Sequence, residues 1–193
     1  HKVFKKTIIE IKSLNIPDIK LLTPKKFEDS RGFFFEAFNL LKFHELIGFE
    51  TQFVQDNQSF SKKNVLRGLH YQRQPYAQGK LVRVIRGEIL DVAVDLREDS
   101  KYYGQWVAEV LSETNNHQLW IPEGFAHGFL VRSEVAEVIY KTTNYYSKEH
   151  DEGIDPFDPY LSINWGIAKE NCILSDKDKQ LPSFLNKNYL YEK

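Results

Sequence analysis

His70, Lys80, Arg67, His127 and Tyr140 stand inside runs that otherwise read as strand cores. Three clusters hold most of them: Asp56–Ser59 followed by Val65–Gln72, then Gln78–Val82, then Trp120–Phe129. An Arg, Lys or His within an apolar strand must either be paired or face a cavity, because an unpaired buried charge is costly. Taken singly, His70 and His127 read as satisfied strand histidines and Tyr140 as a packing residue with its hydroxyl at the rim. Taken together, such groups in one half of a β fold read either as a solvated face or as the lining of a cavity. A metal set is disfavoured: Gln72 stands two after His70, so there is no His-x-His, and His117 and His127 lie ten apart. Nucleophilic catalysis fits poorly as well. Cys172 has no histidine near it in sequence, and neither a Gly-x-Ser-x-Gly elbow nor a glycine-rich phosphate loop occurs.

The elements that must position these groups are short strands. Leu81–Ile85 and Ile89–Leu96 flank Arg86-Gly87-Glu88, and Leu90, Val92, Val94 and Leu96 alternate with Asp91, Ala93, Asp95 and Arg97. Period-two alternation around a glycine-bearing turn predicts a hairpin. Further strands are predicted over Gln105–Ser112, Gln118–Ile121, Gly128–Arg132 and Ala136–Thr143. Helical signal is sparse: Leu40–Ile47 with Asn39 as its cap, and a short turn or helix from Ser175 onward. The expected class is all-β, a barrel or jelly roll with a few short peripheral helices.

The chain of 193 residues has the length of one ordinary domain, 1–193, without repeat or linker. With 26 Lys plus Arg against 27 Asp plus Glu, no broad basic face for nucleic acid or anionic lipid is expected. No apolar run reaches the ~18 residues of a membrane span. His1 in place of Met reads as an expression remnant, and His1–Lys6 lacks the apolar core of a signal peptide. The single cysteine, Cys172, leaves no intramolecular disulfide, so a reducing cytoplasm is the expected compartment.

In combination, the clusters resemble the dTDP-4-dehydrorhamnose 3,5-epimerase family of nucleotide-sugar enzymes. The matching stretches are Asp29-Ser30-Arg31-Gly32-Phe33-Phe34, Val65–Gln72, Ala77–Val82, Gly104-Gln105-Trp106, Gln118–Phe129, Tyr140–Tyr146 and Leu174–Asp178. They run in the family's order across roughly residues 20 to 183. The resemblance implies a jelly-roll (cupin-like) barrel, a homodimer, a nucleotide-diphosphate-linked 4-keto sugar as substrate, and no cofactor or metal. It implies His70 as base, Asp178 as the carboxylate that orients it, Tyr140 as proton donor on the other face, and Lys80 as the cation at the keto oxygen. Such a reaction needs all four roles, since the 4-keto group acidifies C3 and C5 and the enolate must be held while a proton returns. Arg31 and Arg67 match the phosphate-side arginines, Tyr146 the aromatic that stacks on the base. Phe34 is matched to the same pocket, and Glu36, Gln55, Asn57, His127, Asp151 and Lys177 to further ligand contacts.

One departure bears on the substrate. Pro156 stands where the family carries Trp, close in sequence to residues matched to the nucleotide. That leaves dTDP-hexose and GDP-heptose relatives both open. Three other activities compete: a C3-only epimerase, a 3,4-ketoisomerase of the same broad fold, and a non-catalytic sugar-nucleotide binder. A binder has no need of an acid and a base together.

Overall fold

Apolar residues fill the space between two facing sheets and cover the outer side of each. The structure, a computed structural model, describes residues 9–186; His1–Lys6, read above for a leader, lie outside them. In chain order the strands are β1 (Ile9–Ser13), β2 (Lys20–Pro24), β3 (Phe27–Asp29), β4 (Gly32–Phe34), β5 (Gln55–Lys62), β6 (Leu66–Gln72) and β7 (Lys80–Arg86). There follow β8 (Glu88–Asp95), β9 (Trp106–Ser112), β10 (Gln118–Ile121), β11 (Phe125–Val131), β12 (Val135–Thr142) and β13 (Asp151–Gly153). One six-stranded sheet runs β1-β2-β10-β7-β12-β5, and a five-stranded sheet runs β13-β6-β11-β8-β9. Strands β3 and β4 form a separate ribbon. All pairings within the sheets are antiparallel, and the class is the all-β jelly roll expected from the sequence.

The central strand β8 shows how the layers are built. Ile89 and Ala93 point between the sheets, joining Val82, Val84, Leu111, Leu119, Phe129 and Val138. Leu90, Val92 and Val94 point outward, where the segment that carries Ile154, Leu161, Trp165 and Phe184 covers the five-stranded sheet. On the other side, α1 (Leu40–Ile47) lays Phe43 on Leu22, Leu81 and Trp120. The Asn39 side chain caps α1 by accepting from the Lys42 N–H, and Gly48 ends it in the left-handed region at φ 85°.

The hairpin predicted around Gly87 does not form. Strand β7 lies in the six-stranded sheet and β8 in the five-stranded one, so the chain crosses between layers at this corner. Gly87 has φ 81°, and a Cβ there would lie 2.1 Å from the Val135 carbonyl oxygen. The glycine therefore serves a close backbone crossing, and each strand gains partners on both sides that a hairpin would deny it.

Candidate active site

Toward one end the space between the sheets turns polar. Strand β5 carries Gln55, Asn57, Ser59 and Ser61 inward, with Asp56, Gln58, Phe60 and Lys62 exposed. A strand whose inward face is wholly polar cannot fill a core, and here it lines a cleft. Two lobes of about 520 and 560 Å³ share Ser59, Arg67, His70, Lys80 and Tyr140 as common walls. The first lobe adds Val65, Phe129, His127, Ile173, Lys177 and Asp178. The second adds Gln55, Asn57, Gln72, Gln78, Tyr146 and Asp151.

His70 lies on β6 and its Nε2 is 2.7 Å from Asp178 Oδ1. A carboxylate only accepts, so Nε2 carries a proton, and in the neutral imidazole the lone pair is then on Nδ1. Asp178 is nearly inaccessible at 5% exposure, and its Oδ2 accepts the Gly68 N–H at 3.0 Å. It is delivered by α2 (Asp176–Lys179), whose cap Ser175 accepts the Asp178 N–H. Burial works to raise the Asp178 carboxyl. The hydrogen bond and charge of His70, the Gly68 N–H and Lys177 outweigh it and hold the group below the usual carboxylate range.

Lys80 and Tyr140 face this dyad from the other sheet, on neighbouring strands β7 and β12. Lys80 is 9% exposed, and among the described residues no ion pair closes on its ammonium. Burial pulls it down to about 8, against the pull of the Asp91 and Asp151 charges. Its Nζ sits 5.7 Å from the centre of the Tyr140 ring. Burial pushes the Tyr140 phenol up, opposed by Asn57 and the Arg67 charge, so it is protonated at neutral pH. The His70 imidazole and the Tyr140 phenol therefore stand on opposite walls of one cleft, with the Lys80 amine beside the phenol.

His127 pairs directly across from His70 in the β11–β6 ladder and is buried. Its Nε2 lies 2.5 Å from Oδ1 of Asp91, a fully buried carboxylate whose Oδ2 has no hydrogen-bond partner among the described residues. Burial lowers the His127 imidazole, Asp91 opposes, and the Lys80 and His70 charges lower it further. Asp91 was not among the residues expected from the sequence. Its signal was a carboxylate in phase with Ile89 and Ala93, the inward positions of β8.

The remaining expected residues divide in two. Arg67 lies in both lobes with its Nε donating to Ser61 Oγ at 3.0 Å. Gln55 donates to Asn57 Oδ1, and the Tyr146 N–H donates to Gln55 Oε1 at 3.1 Å. Asp151 Oδ2 accepts from Lys177 Nζ at 2.6 Å and from the Tyr146 hydroxyl at 3.4 Å. Arg31, Phe34 and Glu36 are not brought to this cleft. Arg31 and Phe34 belong to the β3–β4 ribbon, where Arg31 bonds Asp29 and Phe34 is 71% exposed. Glu36 accepts from Lys42 Nζ at 2.7 Å. Pro156, expected near the nucleotide residues, is buried on the outer layer and accepts the Trp165 indole N–H at 2.7 Å. It lines neither lobe, so the departure at this position leaves the cleft's walls intact.

The family described as dTDP-4-dehydrorhamnose 3,5-epimerase matches residues 13–186. The dTDP-4-dehydrorhamnose 3,5-epimerase of Salmonella typhimurium is 56% identical over 167 residues, 86% of this chain and 91% of that protein. The crystal structure of dTDP-6-deoxy-D-glucose-3,5-epimerase from Legionella pneumophila Philadelphia 1, in complex with dTDP-4-keto-L-rhamnose, superposes with a TM-score of 0.89. It shares 47% identity over 92% of this chain and 94% of that one. A 3'-monoepimerase from Streptomyces bikiniensis in complex with dTDP-quinovose is more distant, at TM-score 0.82 and 30% identity over 88% of this chain and 85% of that one.

Proposed function

The chain belongs to the dTDP-4-dehydrorhamnose 3,5-epimerase family, an isomerase family of sugar biosynthesis, and from that premise we propose how its residues divide the reaction. The substrate is a dTDP-linked 4-keto-6-deoxy sugar. His70 takes the acidic hydrogen beside the carbonyl through Nδ1, with Asp178 holding the ring and the charge it gains. The electron pair moves onto the 4-oxygen, where the Lys80 ammonium favours the enolate. Tyr140 then returns a proton to the same carbon from the opposite face and inverts it. Solvent then takes the proton that His70 gained and returns one to Tyr140, and repetition at the second carbon completes the double epimerisation. Every step is a proton transfer, so the atoms balance without a further reactant.

The observation that carries this reading is the opposition of the two walls. A base on the five-stranded sheet and a neutral phenol on the six-stranded sheet flank one space, with a cation on the phenol's side. Inversion needs two faces addressed separately, and a binder or a ketoisomerase working on one face would not.

Nuclear magnetic resonance in deuterated water tests it. The wild type should place deuterium at both C3 and C5 of dTDP-4-keto-6-deoxy-D-glucose, and His70→Asn should slow exchange at both by about 10²–10⁴-fold. In Tyr140→Phe, exchange should persist while net inversion falls much further, because His70 then reprotonates the face it left. An exchange-to-inversion ratio equal to wild type would take Tyr140 out of the donor role. Deuterium at C3 alone in the wild type would make the enzyme a C3 epimerase.

A further inference from the structure

We propose that Gln72 is a positioning residue that holds the Tyr146 loop in place for nucleotide binding. Nothing in its chemistry makes it reactive, yet it is only 5% exposed and sits at a wall of the second lobe. It follows His70 by two along β6, so both side chains leave the same face of the strand. Every polar atom of its amide is used. Nε2 donates to the Tyr76 carbonyl at 2.7 Å and to the Tyr145 carbonyl at 3.0 Å. Oε1 accepts the Ser147 N–H at 2.8 Å.

Those three bonds join two loops. Tyr76 belongs to residues 73–79, which lead into Lys80; Tyr145 and Ser147 flank Tyr146 on both sides. Tyr146 itself is tied by its N–H to Gln55 and by its hydroxyl to Asp151. Its ring is 56% exposed at the mouth of the lobe, so packing does little to fix it. The backbone on either side of the ring is fixed instead by one buried amide. Other bonds stitch the same two loops, Gln78 to the Asn144 carbonyl before Tyr145 and Arg73 to the Glu149 and His150 carbonyls after Ser147, but none of them reaches the residues on either side of Tyr146. An exposed aromatic platform binds a flat ligand well only if its direction is already set, since ordering it on binding would cost conformational entropy.

This inference rests on the reading of Tyr146 as the residue that stacks on the nucleotide base. The test is therefore a double-mutant cycle with dTDP as the probe, read by calorimetry, alongside substrate exchange at saturation. Gln72→Glu keeps the shape and the acceptor for Ser147 but turns two donors into acceptors facing carbonyls. Gln72→Met removes the amide with similar volume, and guards against a folding failure of the first variant. Either should weaken dTDP binding by about 10–100-fold, the size of one or two lost hydrogen bonds. The loss should fall far more on affinity than on exchange at saturating substrate. In a Tyr146→Ala background, the same Gln72 substitutions should have almost no further effect on dTDP.

Three results would overturn the proposal. Full additivity with Tyr146→Ala would show that Gln72 acts elsewhere. Wild-type dTDP affinity in both Gln72 variants, with Tyr146→Ala impaired, would remove Gln72 alone. Unchanged affinity in Tyr146→Ala itself would remove Tyr146 from the nucleotide site, and the inference with it.

Discussion

Lys80 is a cation in a place that disfavours cations. Burial brings it to about 8, so a few tenths of a pH unit around neutrality leave it charged while higher pH does not. If its ammonium holds the enolate, exchange at saturating substrate should decline as pH rises through about 8. Lys80→Arg, which does not titrate there, should lack that limb even if slower overall. Asp91 is the first charge opposing the shift, so Asp91→Asn should move the limb to lower pH. A limb that stays put would uncouple the two residues. Stability carries the same signature. Folded Lys80 releases its proton at about 8 and unfolded Lys80 at 10.5, so between those values the unfolded chain binds more protons and stability rises with pH. Below that window the buried charge costs on the order of 3 kcal/mol. Lys80→Met should therefore lose activity without losing melting temperature at pH 7. Its thermal advantage over wild type should narrow from pH 8 toward 10.5. Melting curves across that range check the sign.

At the scale of elements, the two histidines depend on how closely β6 and β11 approach. Gly68 has φ 117°, and a Cβ there would lie 2.7 Å from the His127 carbonyl oxygen and 2.8 Å from the Gly128 Cα. Both neighbours are backbone, so neither can swing aside. Gly68→Ala should cost about 2–4 kcal/mol in urea unfolding and should slow exchange by displacing His70. Gly48→Ala is the control: it shares a positive φ of 85° but meets nothing within 4 Å, and it ends α1, none of whose residues lines either lobe. It should cost about 1 kcal/mol and leave exchange alone. The same contrast between local and tertiary cause explains what the sequence disclosed. α1 was legible to the residue, because Asn39, an amphipathic face and Gly48 are local signals. β10 was legible too, and β8 was displaced by one residue. β5 was not, since Gln-Asp-Asn-Gln-Ser-Phe-Ser-Lys has no apolar period: its inward face meets a cavity instead of a core. The turn at Gly87 was visible but its topology was not, because a corner between sheets and a hairpin use the same residues. His70, Lys80, Tyr140 and Asp178 came from four separate stretches, and only the resemblance joined them. Asp91 escaped because its phase with Ile89 and Ala93 competes with the apolar set Leu90, Val92 and Val94 on the other face, and β8 is covered on both.

At the scale of the whole molecule, the resemblance matches Arg31 and Phe34 to substrate-binding positions, yet their ribbon stands outside the cleft. Phe27, Phe33 and Phe34 are 48%, 58% and 71% exposed, an apolar group that a lone soluble chain would seldom display together. The Arg31 side chain is 88% exposed and, among the described residues, engages its neighbour Asp29. A homodimer, implied by the resemblance, reconciles the two facts if each ribbon completes the cleft of the other copy. Subunit mixing decides it. His70→Asn removes the base from a subunit's own cleft; Arg31→Ala disables the ribbon it would lend. Each homodimer should be nearly inactive. In a mixed dimer, the Arg31→Ala subunit keeps an intact base and receives an intact ribbon from its neighbour, so one of two sites works. Co-unfolding and refolding equal amounts gives mixed dimers in about half the population, hence about one quarter of wild-type activity. If each ribbon serves its own chain, a mixed dimer contains no complete site and mixing restores nothing. The measurement is exchange rate against mixing ratio, which should peak at equal amounts and vanish at either end. A flat, inactive profile, or a monomer by sedimentation, would return the ribbon to its own chain and require another source for the cation beside Arg67.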